Sequence, residues 1–230
     1  MGHSYLERLA DDRTETCIAE AKPVYTDLQA TTEANRCLYC HDAPCIQVCP
    51  TSINIPEFIR KISTGNVKGS AKTIFDANIL GLSCSAVCPV EVLCVGSCVY
   101  NHMDVKPIEI GRLQRYATEH AYNNGIQFYK KGPDTGKKVA LIGAGPASLA
   151  CAAQLVQMGH QAVIFERHEL PGGLNTTGVA PYKLHVADSL REVAYIQEMG
   201  VEIRTGVTIG QDISFAQLEA DYDAIFIGAG

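Results

Sequence analysis

The sequence predicts two unlike parts in tandem: a small all-α domain, then an α/β domain with a parallel sheet. Three observations carry this. Eight of the ten cysteines fall between Cys37 and Cys98, in a stretch with no firm strand pattern. "NNGIQFYKKGPDTGKK", residues 123–138, is a linker by composition. After it, apolar strand-like runs alternate with helical ones, the pattern of parallel sheets with right-handed crossovers.

Composition narrows the class. The chain has 230 residues and is 47% hydrophobic, enough for one or two packed domains. Its net charge is −6 and no Lys/Arg block appears, so no nucleic-acid partner is expected. The longest apolar run, Val139 to Gly159, is broken by Gly143, Gly145, Pro146, Ser148, Gln154 and Gln157, so it reads as a buried segment and not a membrane span. No basic-then-apolar leader stands at the start, so a cytoplasmic setting is expected. Thiols stay reduced there, and cysteine groups bind metal more often than they pair.

Taken in order, residues 1–30 read as a polar arm or loose helix. Residues 31–125 are the all-α domain, 126–137 the linker and 138–230 the α/β part. Thr31-Thr32-Glu33 looks like a helix start. "IPEFIRKIST" (55–64) carries an apolar stripe of Ile55, Phe58, Ile59 and Ile62, and "VKGSAKTIFDAN" (67–78) has helical spacing too. "PIEIGRLQRYATEHAY" (107–122) is a longer helix with Pro107 at its first position. The apolar core of this domain looks thin, so whatever its cysteines hold contributes much of its stability. Beyond the linker, "KVALIG", "QAVIFE", "VEIRTGV" and "YDAIFIGAG" are strands. "PASLACAAQLVQMG", "HVADSLREVAYIQEMG" and "SFAQLEA" are helices between them.

The cysteines form two groups. The first is Cys37-x2-Cys40-x4-Cys45-x3-Cys49-Pro50, and the second is Cys84-x3-Cys88-Pro89 followed by Cys94-x3-Cys98. Structural zinc is often built from two CxxC knuckles, and only Cys37/Cys40 has that spacing. The spacing is instead a variant of the ferredoxin run C-x2-C-x2-C-x3-C-P, whose proline-flanked fourth cysteine serves a neighbouring cluster. Two [4Fe–4S] clusters are therefore preferred over zinc or disulfides. Spacing alone would hand Cys84 a ligand role, with eight thiolates for eight irons. Cys151 reads as a core residue of its helix, and Cys17 has no evident role.

"RCLYCHDAPCIQVCP", "GSAKTIFDANILGLSC", "VCPVEVLCVGSC" and "PIEIGRLQRY" closely resemble the N-terminal iron–sulfur domain of dihydropyrimidine dehydrogenase. The small subunit of glutamate synthase and related NAD(P)H-dependent iron–sulfur flavoenzymes share it. The resemblance implies an α-helical ferredoxin-type domain with a crossed ligand scheme. Cys37, Cys40, Cys45 and Cys98 would hold one cluster. Cys49, Cys88 and Cys94 would hold the other, with the Gln114 side-chain oxygen as its fourth ligand. Cys84 is then a bystander.

The second motif is Gly143-x-Gly145-x-x-Ser148, directly after a strand and opening a helix, with Glu166 closing the next strand. That order is the dinucleotide fingerprint. Gly143 allows the tight turn, and Gly145 lets backbone approach a pyrophosphate at the helix N-terminus. Glu166 would accept from ribose hydroxyls. Ser148 stands where Gly or Ala is usual. Ala144, Pro146, Ala147 and Arg167 adjoin these positions and join the candidate cofactor-binding set. By the resemblance, "ELPGGLNTTGVAPYKL" is the second glycine pair of an FAD domain, with Gly172, Gly173 and Leu174 near the flavin and Val207 near the adenine. The cofactor is then FAD, reduced by NAD(P)H in a longer parent enzyme.

Gly230 stops the sequence inside a motif, so this α/β part is expected to be the first part of a truncated FAD-binding domain. It is expected to bind flavin weakly or not at all on its own, and not to be competent alone for hydride transfer. No catalytic nucleophile or acid–base set is assigned, and His41 reads as a hydrogen-bond donor or surface residue. The function expected by resemblance is electron transfer from FAD through two clusters to an FMN-containing, substrate-reducing domain or subunit, for pyrimidine reduction. The alternatives are the electron donor of a glutamate synthase and a non-catalytic iron–sulfur docking domain.

Overall fold

The computed structural model describes residues 5–230, and the chain divides into two compact units. The first runs from Glu20 to Ile126, and the second joins residues 5–19 to Gln127–Gly230.

The unit from Glu20 to Ile126 contains six helices: α1 (Asp27–Ala34), α2 (Pro44–Gln47), α3 (Ile55–Ser63), α4 (Val67–Ala77), α5 (Gly81–Val87) and α6 (Ile110–Asn123). The expected stripe of α3 is its buried face: Ile55, Phe58, Ile59 and Ile62 are all 2% exposed or less. Each such side chain is worth about 1.5–3 kcal/mol on leaving water. They meet α4, whose Ile74 and Phe75 are buried, and both helices pack on α6. Asparagine caps start α3 and α4: Asn54 accepts from the Glu57 N–H, and Asn66 from the Gly69 N–H at 2.9 Å. Buried Ser70 donates to the Phe58 carbonyl at 2.8 Å, joining α4 to α3.

Two expectations shift here, and one helix, α5, is added to those the sequence predicts. The first helix starts at Asp27, not near Thr31. Thr26 caps it, accepting from Gln29 N–H while the Gln29 side chain accepts from Thr26 N–H, a full capping box. The last helix starts at Ile110, not Pro107. Glu33 of α1 takes the Glu109 N–H at 2.9 Å and Arg36 donates to the Lys106 carbonyl, which holds residues 106–109 out of helix. Helix α5 carries Gly81, Ser83 and Ser85, weak helix formers, and is held by burial against α6.

The other unit has a four-stranded parallel sheet: β1 (Lys138–Ile142), β2 (Gln161–Glu166), β3 (Glu202–Thr205) and β4 (Ala224–Ile227), in the order β3-β2-β1-β4. Its helices are α7 (Pro146–Gln157), α8 (Leu174–Thr177), α9 (Val186–Glu198) and α10 (Phe215–Asp221). Ala140 pairs in register with Val163 of β2 and Ile225 of β4. Alternation sends Ala140, Val163 and Phe165 to one face, where they meet Leu218 of α10, and sends Leu141 and Ile164 to the other. Helix α7 packs against β1, β2 and α9. Two 3-10 turns, Tyr5–Arg8 and Thr14–Cys17, complete the unit, and Arg8 donates to the Glu169 carbonyl at 3.2 Å.

Candidate iron–sulfur and dinucleotide sites

Cys37, Cys40, Cys45 and Cys98 line one pocket, with Ile55, Ile59, Ile108 and Ile110 among its apolar walls. Three of the thiols come from one short segment and the fourth from more than fifty residues on. Cys37 and Cys40 flank a turn in which Tyr39 has φ 50, the left-handed region that a bulky residue avoids. The Tyr39 hydroxyl bonds the Ser63 hydroxyl at 3.0 Å and donates to the Ala34 carbonyl at 3.3 Å, which holds that conformation in place. Cys45 sits in α2 just after Pro44, and α2 is a single turn.

Cys49, Cys88 and Cys94 form a second neighbourhood with Cys84 and Gln114. Cys84 lies on α5 and Cys88 caps its end, donating its N–H to the Cys84 carbonyl at 3.0 Å. Gln114 is buried in α6, and its Nε2 donates to the Gly81 carbonyl at 2.8 Å.

Burial pushes the Cys45 thiol up to about 11, and its neighbours Cys37 and Cys98 add to the shift. Burial likewise drives Cys84 to about 11 and Cys94 to about 12, with Cys88 and Cys49 raising both further. Clustered, desolvated thiols of this kind become thiolates when a positive centre joins them. All ten cysteines are free. Among the described residues, no three cysteine sulfurs lie mutually within 4.8 Å. A tetrahedral Zn–S bond of about 2.3 Å would bring its sulfurs to about 3.8 Å apart. Soft thiolates gathered in this way fit an iron–sulfur cluster.

The glycine motif builds the other site, at the C-terminal ends of β1 and β2. Gly143 has φ +87, and a Cβ there would sit 2.5 Å from the Gly228 carbonyl oxygen, so only glycine fits. Gly145 precedes α7, with Pro146 and Ala147 opening the helix. The second glycine pair folds onto the first: Gly172 N–H donates to the Ala144 carbonyl at 2.9 Å. Gly173, at φ +57, brings its backbone so close that a Cβ would lie 2.8 Å from Gly145 Cα. Leu174 starts α8 beside it. Val207 N–H donates to the Glu166 carbonyl at 2.9 Å. Arg167 is exposed and donates to His168 Nε2 at 3.1 Å. The sequence-predicted residues of both glycine stretches thus meet in one place.

Two features lay outside the sequence reading. The buried Glu166 carboxylate accepts the Ala144 N–H at 2.7 Å and the His168 N–H at 2.9 Å, so in this structure it holds the glycine loop. Ser148 is fully buried with its hydroxyl unpaired, and a Cβ on Gly228 would meet that oxygen at 2.2 Å. The serine fills the gap between α7 and β4 that the fingerprint reserves for a small residue. A Gly at 228 opposite a small residue at 148 is a pairing that sequence inspection could have tested.

Grouped, partly buried thiols and a dinucleotide-type glycine loop define the class: an iron–sulfur protein with a Rossmann-like domain. Residues 13–126 match the family described as dihydropyrimidine dehydrogenase domain II, 4Fe-4S cluster, and residues 141–190 match the NAD(P)-binding Rossmann-like domain. The chain is 43% identical over 211 residues to the NAD-dependent dihydropyrimidine dehydrogenase subunit PreT of Salmonella typhimurium, covering 92% of this chain and 51% of that protein. It is 41% identical to the Escherichia coli K12 subunit of the same name, with the same coverage. It is 39% identical to the glutamate synthase [NADPH] small chain of Halomonas elongata, covering 92% of this chain and 45% of that one. Residues 13–126 thus carry a 4Fe-4S domain of the dihydropyrimidine dehydrogenase type, and the chain as a whole is similar to dihydropyrimidine dehydrogenase subunits and glutamate synthase small chains. It spans about half the length of the curated relatives it matches.

Proposed function

We infer that this chain is the electron-carrying portion of an NAD(P)H-dependent oxidoreductase. The observation that carries the reading is the partition of the thiols into two neighbourhoods, one lined by Cys37, Cys40, Cys45 and Cys98 and the other joining Cys49, Cys88 and Cys94. Cys37, Cys40, Cys45 and Cys98 would hold one [4Fe–4S] cluster. Cys49, Cys88, Cys94 and Gln114 would hold the other. Clusters bound there would pass electrons one at a time, linking a two-electron donor to a distant acceptor. Cys94 feels both Cys88 and Cys45, so the two groups lie near one another, as a relay requires.

The protein's own tasks are binding, orientation and dryness. Apolar walls from Ile55, Ile59, Ile108 and Ile110 exclude water from the first group. Gly143 to Ala147 and Gly172 to Leu174 would cradle the pyrophosphate of FAD, with the N-terminus of α7 favouring its charge. Glu166 has lone pairs beyond the two already used and would take ribose hydroxyls. The acceptor is an FMN-containing partner domain or subunit, and the substrate class is a pyrimidine, because the relatives named for that reaction share 41–43% identity with this chain. The 39% identity to a glutamate synthase small chain supports a second reading, with a glutamate-forming partner.

Anaerobic purification followed by iron, sulfide and flavin analysis tests the core of this. About eight irons and eight sulfides per chain are expected from two cubane clusters. Zinc without sulfide overturns it. Flavin that bleaches on adding NAD(P)H to the longer parent supports the oxidoreductase, whereas clusters without flavin there point to a docking domain. Gln114→Ala with full iron and an unchanged EPR spectrum removes Gln114 from the ligand set.

A further inference from the structure

The four thiols of the first group come from two stretches of chain. Cys37, Cys40 and Cys45 share one short segment, and Cys98 must be brought to them from elsewhere. Cys37 is placed at the end of α1, where its N–H donates to the Ala34 carbonyl at 3.1 Å. The loop that carries Cys98 is closed on itself: Asn101 Nδ2 donates to the Val95 carbonyl at 2.8 Å and to the Gly96 carbonyl at 2.9 Å. Gly96 is required there, because a Cβ would lie 2.1 Å from the Glu91 carbonyl oxygen. Each stretch is thus ordered by itself, and Tyr100 joins the two. It lines the same pocket as the four thiols, and its hydroxyl donates to the Arg36 carbonyl at 2.6 Å. Arg36 directly precedes Cys37, and Tyr100 follows Cys98 closely. The Arg36 guanidinium also faces the Tyr100 ring, its central carbon 5.6 Å from the ring centroid. That guanidinium is held in turn by the Glu33 carboxylate at 2.8 Å and by the Lys106 carbonyl.

We propose that Tyr100 is a positioning residue: its hydroxyl ties the Cys98 loop to the backbone just before Cys37, so that the remote fourth ligand is held in place for the first cluster. The inference rests on the ligand reading proposed above. Three ligands on one short segment stay near one another whatever the rest of the chain does. The fourth is separated from them by a long loop, and its effective concentration at the site depends on how firmly its own segment is tied. The Tyr100 hydroxyl on the Arg36 carbonyl is such a tie, and the residue that offers this carbonyl is itself fixed by Glu33 and Lys106. Without the tie the Cys98 sulfur leaves its iron more often, and iron escapes from that corner first. The effect is confined to the first cluster, because the contact joins only the two stretches that supply its ligands.

The test compares the unaltered chain with Tyr100→Phe, both reconstituted anaerobically with iron and sulfide, and uses Cys98→Ala to mark which EPR signal belongs to the first cluster. Tyr100→Phe keeps the ring and loses only the donor. It is expected to carry full iron and sulfide, with an unchanged far-UV circular dichroism spectrum. Under an iron chelator it should release about half of its iron about five- to tenfold faster than the unaltered chain, the scale on which one hydrogen bond acts. The EPR signal that fades first should be the one missing from Cys98→Ala. Equal acceleration for both clusters, faster loss of the other signal, or failure to assemble either cluster makes the hydroxyl a general brace of the helical unit and overturns the proposal. Release at the unaltered rate overturns it too, and leaves the ligand reading standing. Full iron in Cys98→Ala, or no sulfide in the unaltered chain, overturns the ligand reading itself, and this inference with it.

Discussion

The two units reach function by opposite routes. In the helical unit the candidate ligand atoms are side-chain sulfurs, carried on turns, on the one-turn helix α2 and at the C-cap of α5. In the α/β unit they are mostly backbone N–H groups, held at the ends of β1 and β2 by a register of parallel strands. The first site is a set of partly buried thiols whose neutral form is favoured by desolvation. The second already satisfies itself, with Ala144 and His168 N–H groups on Glu166 and Gly172 N–H on Ala144. A site made of desolvated ionisable groups depends on its ligand for stability, and a site made of backbone depends on its scaffold.

The strongest way to break that contrast is to remove the guests. Chelation of iron from the folded protein should melt the helical unit and spare the sheet, giving two separated calorimetric transitions. The loss should approach the scale of metal-linked folding, where structural ions contribute about 10 kcal/mol or more of apparent binding energy. A single unshifted transition would mean that the helical core stands alone. Next in size is Gly143→Val. A left-handed backbone and a 2.5 Å approach to the Gly228 oxygen should cost about 3 kcal/mol or more in the α/β unit. Iron content should not change, and equal damage to both units would end the distinction.

The pH response of the iron-free form sharpens it further. Cys45 and Cys84 are held at about 11 and Cys94 at about 12, whereas unfolded thiols ionise near 8.5. Between those values the unfolded chain has lost protons that the folded chain keeps, so stability falls as pH rises. Guanidinium midpoints of the helical transition should be flat below about pH 8 and drop between about 8.5 and 11. A flat profile through pH 11 would show that the thiols are not desolvated together. The smallest effect expected is Ser148→Ala. Removing a buried hydroxyl with no partner should raise the α/β transition by about 1 kcal/mol, read as a higher melting temperature. A fall would show that the hydroxyl is paired.

The sequence reading recovered the elements whose burial follows a simple period. The strands β1 to β4, the stripe of α3, and α4, α7, α9 and α10 all lie where the apolar spacing puts them, because each buries a face its own residues define. It missed α5, whose Gly81, Ser83 and Ser85 give no periodic signal, and it misplaced the start of α6, where Glu33 and Arg36 hold residues 106–109. The Thr26–Gln29 capping box was legible and went unread.

Cysteine type and spacing, together with Gly143, Gly145 and Glu166 in order, were enough to name the chemistry each part could support. Spacing reflects which residue types lie within a few positions of one another, and that is local. Whether Cys98 joins Cys37 or Cys94, whether Gln114 reaches the group of Cys88, and whether Cys84 stands between them are contacts between segments far apart in the chain. Spacing alone left those open; the resemblance implied the pairing of Cys98 with Cys37 and of Gln114 with Cys88, and the packing of α5 on α6 brings the segments together. The physical reason is that burial acts on whole faces and leaves a pattern, while the partner of a single buried polar group is chosen by three-dimensional proximity and leaves none.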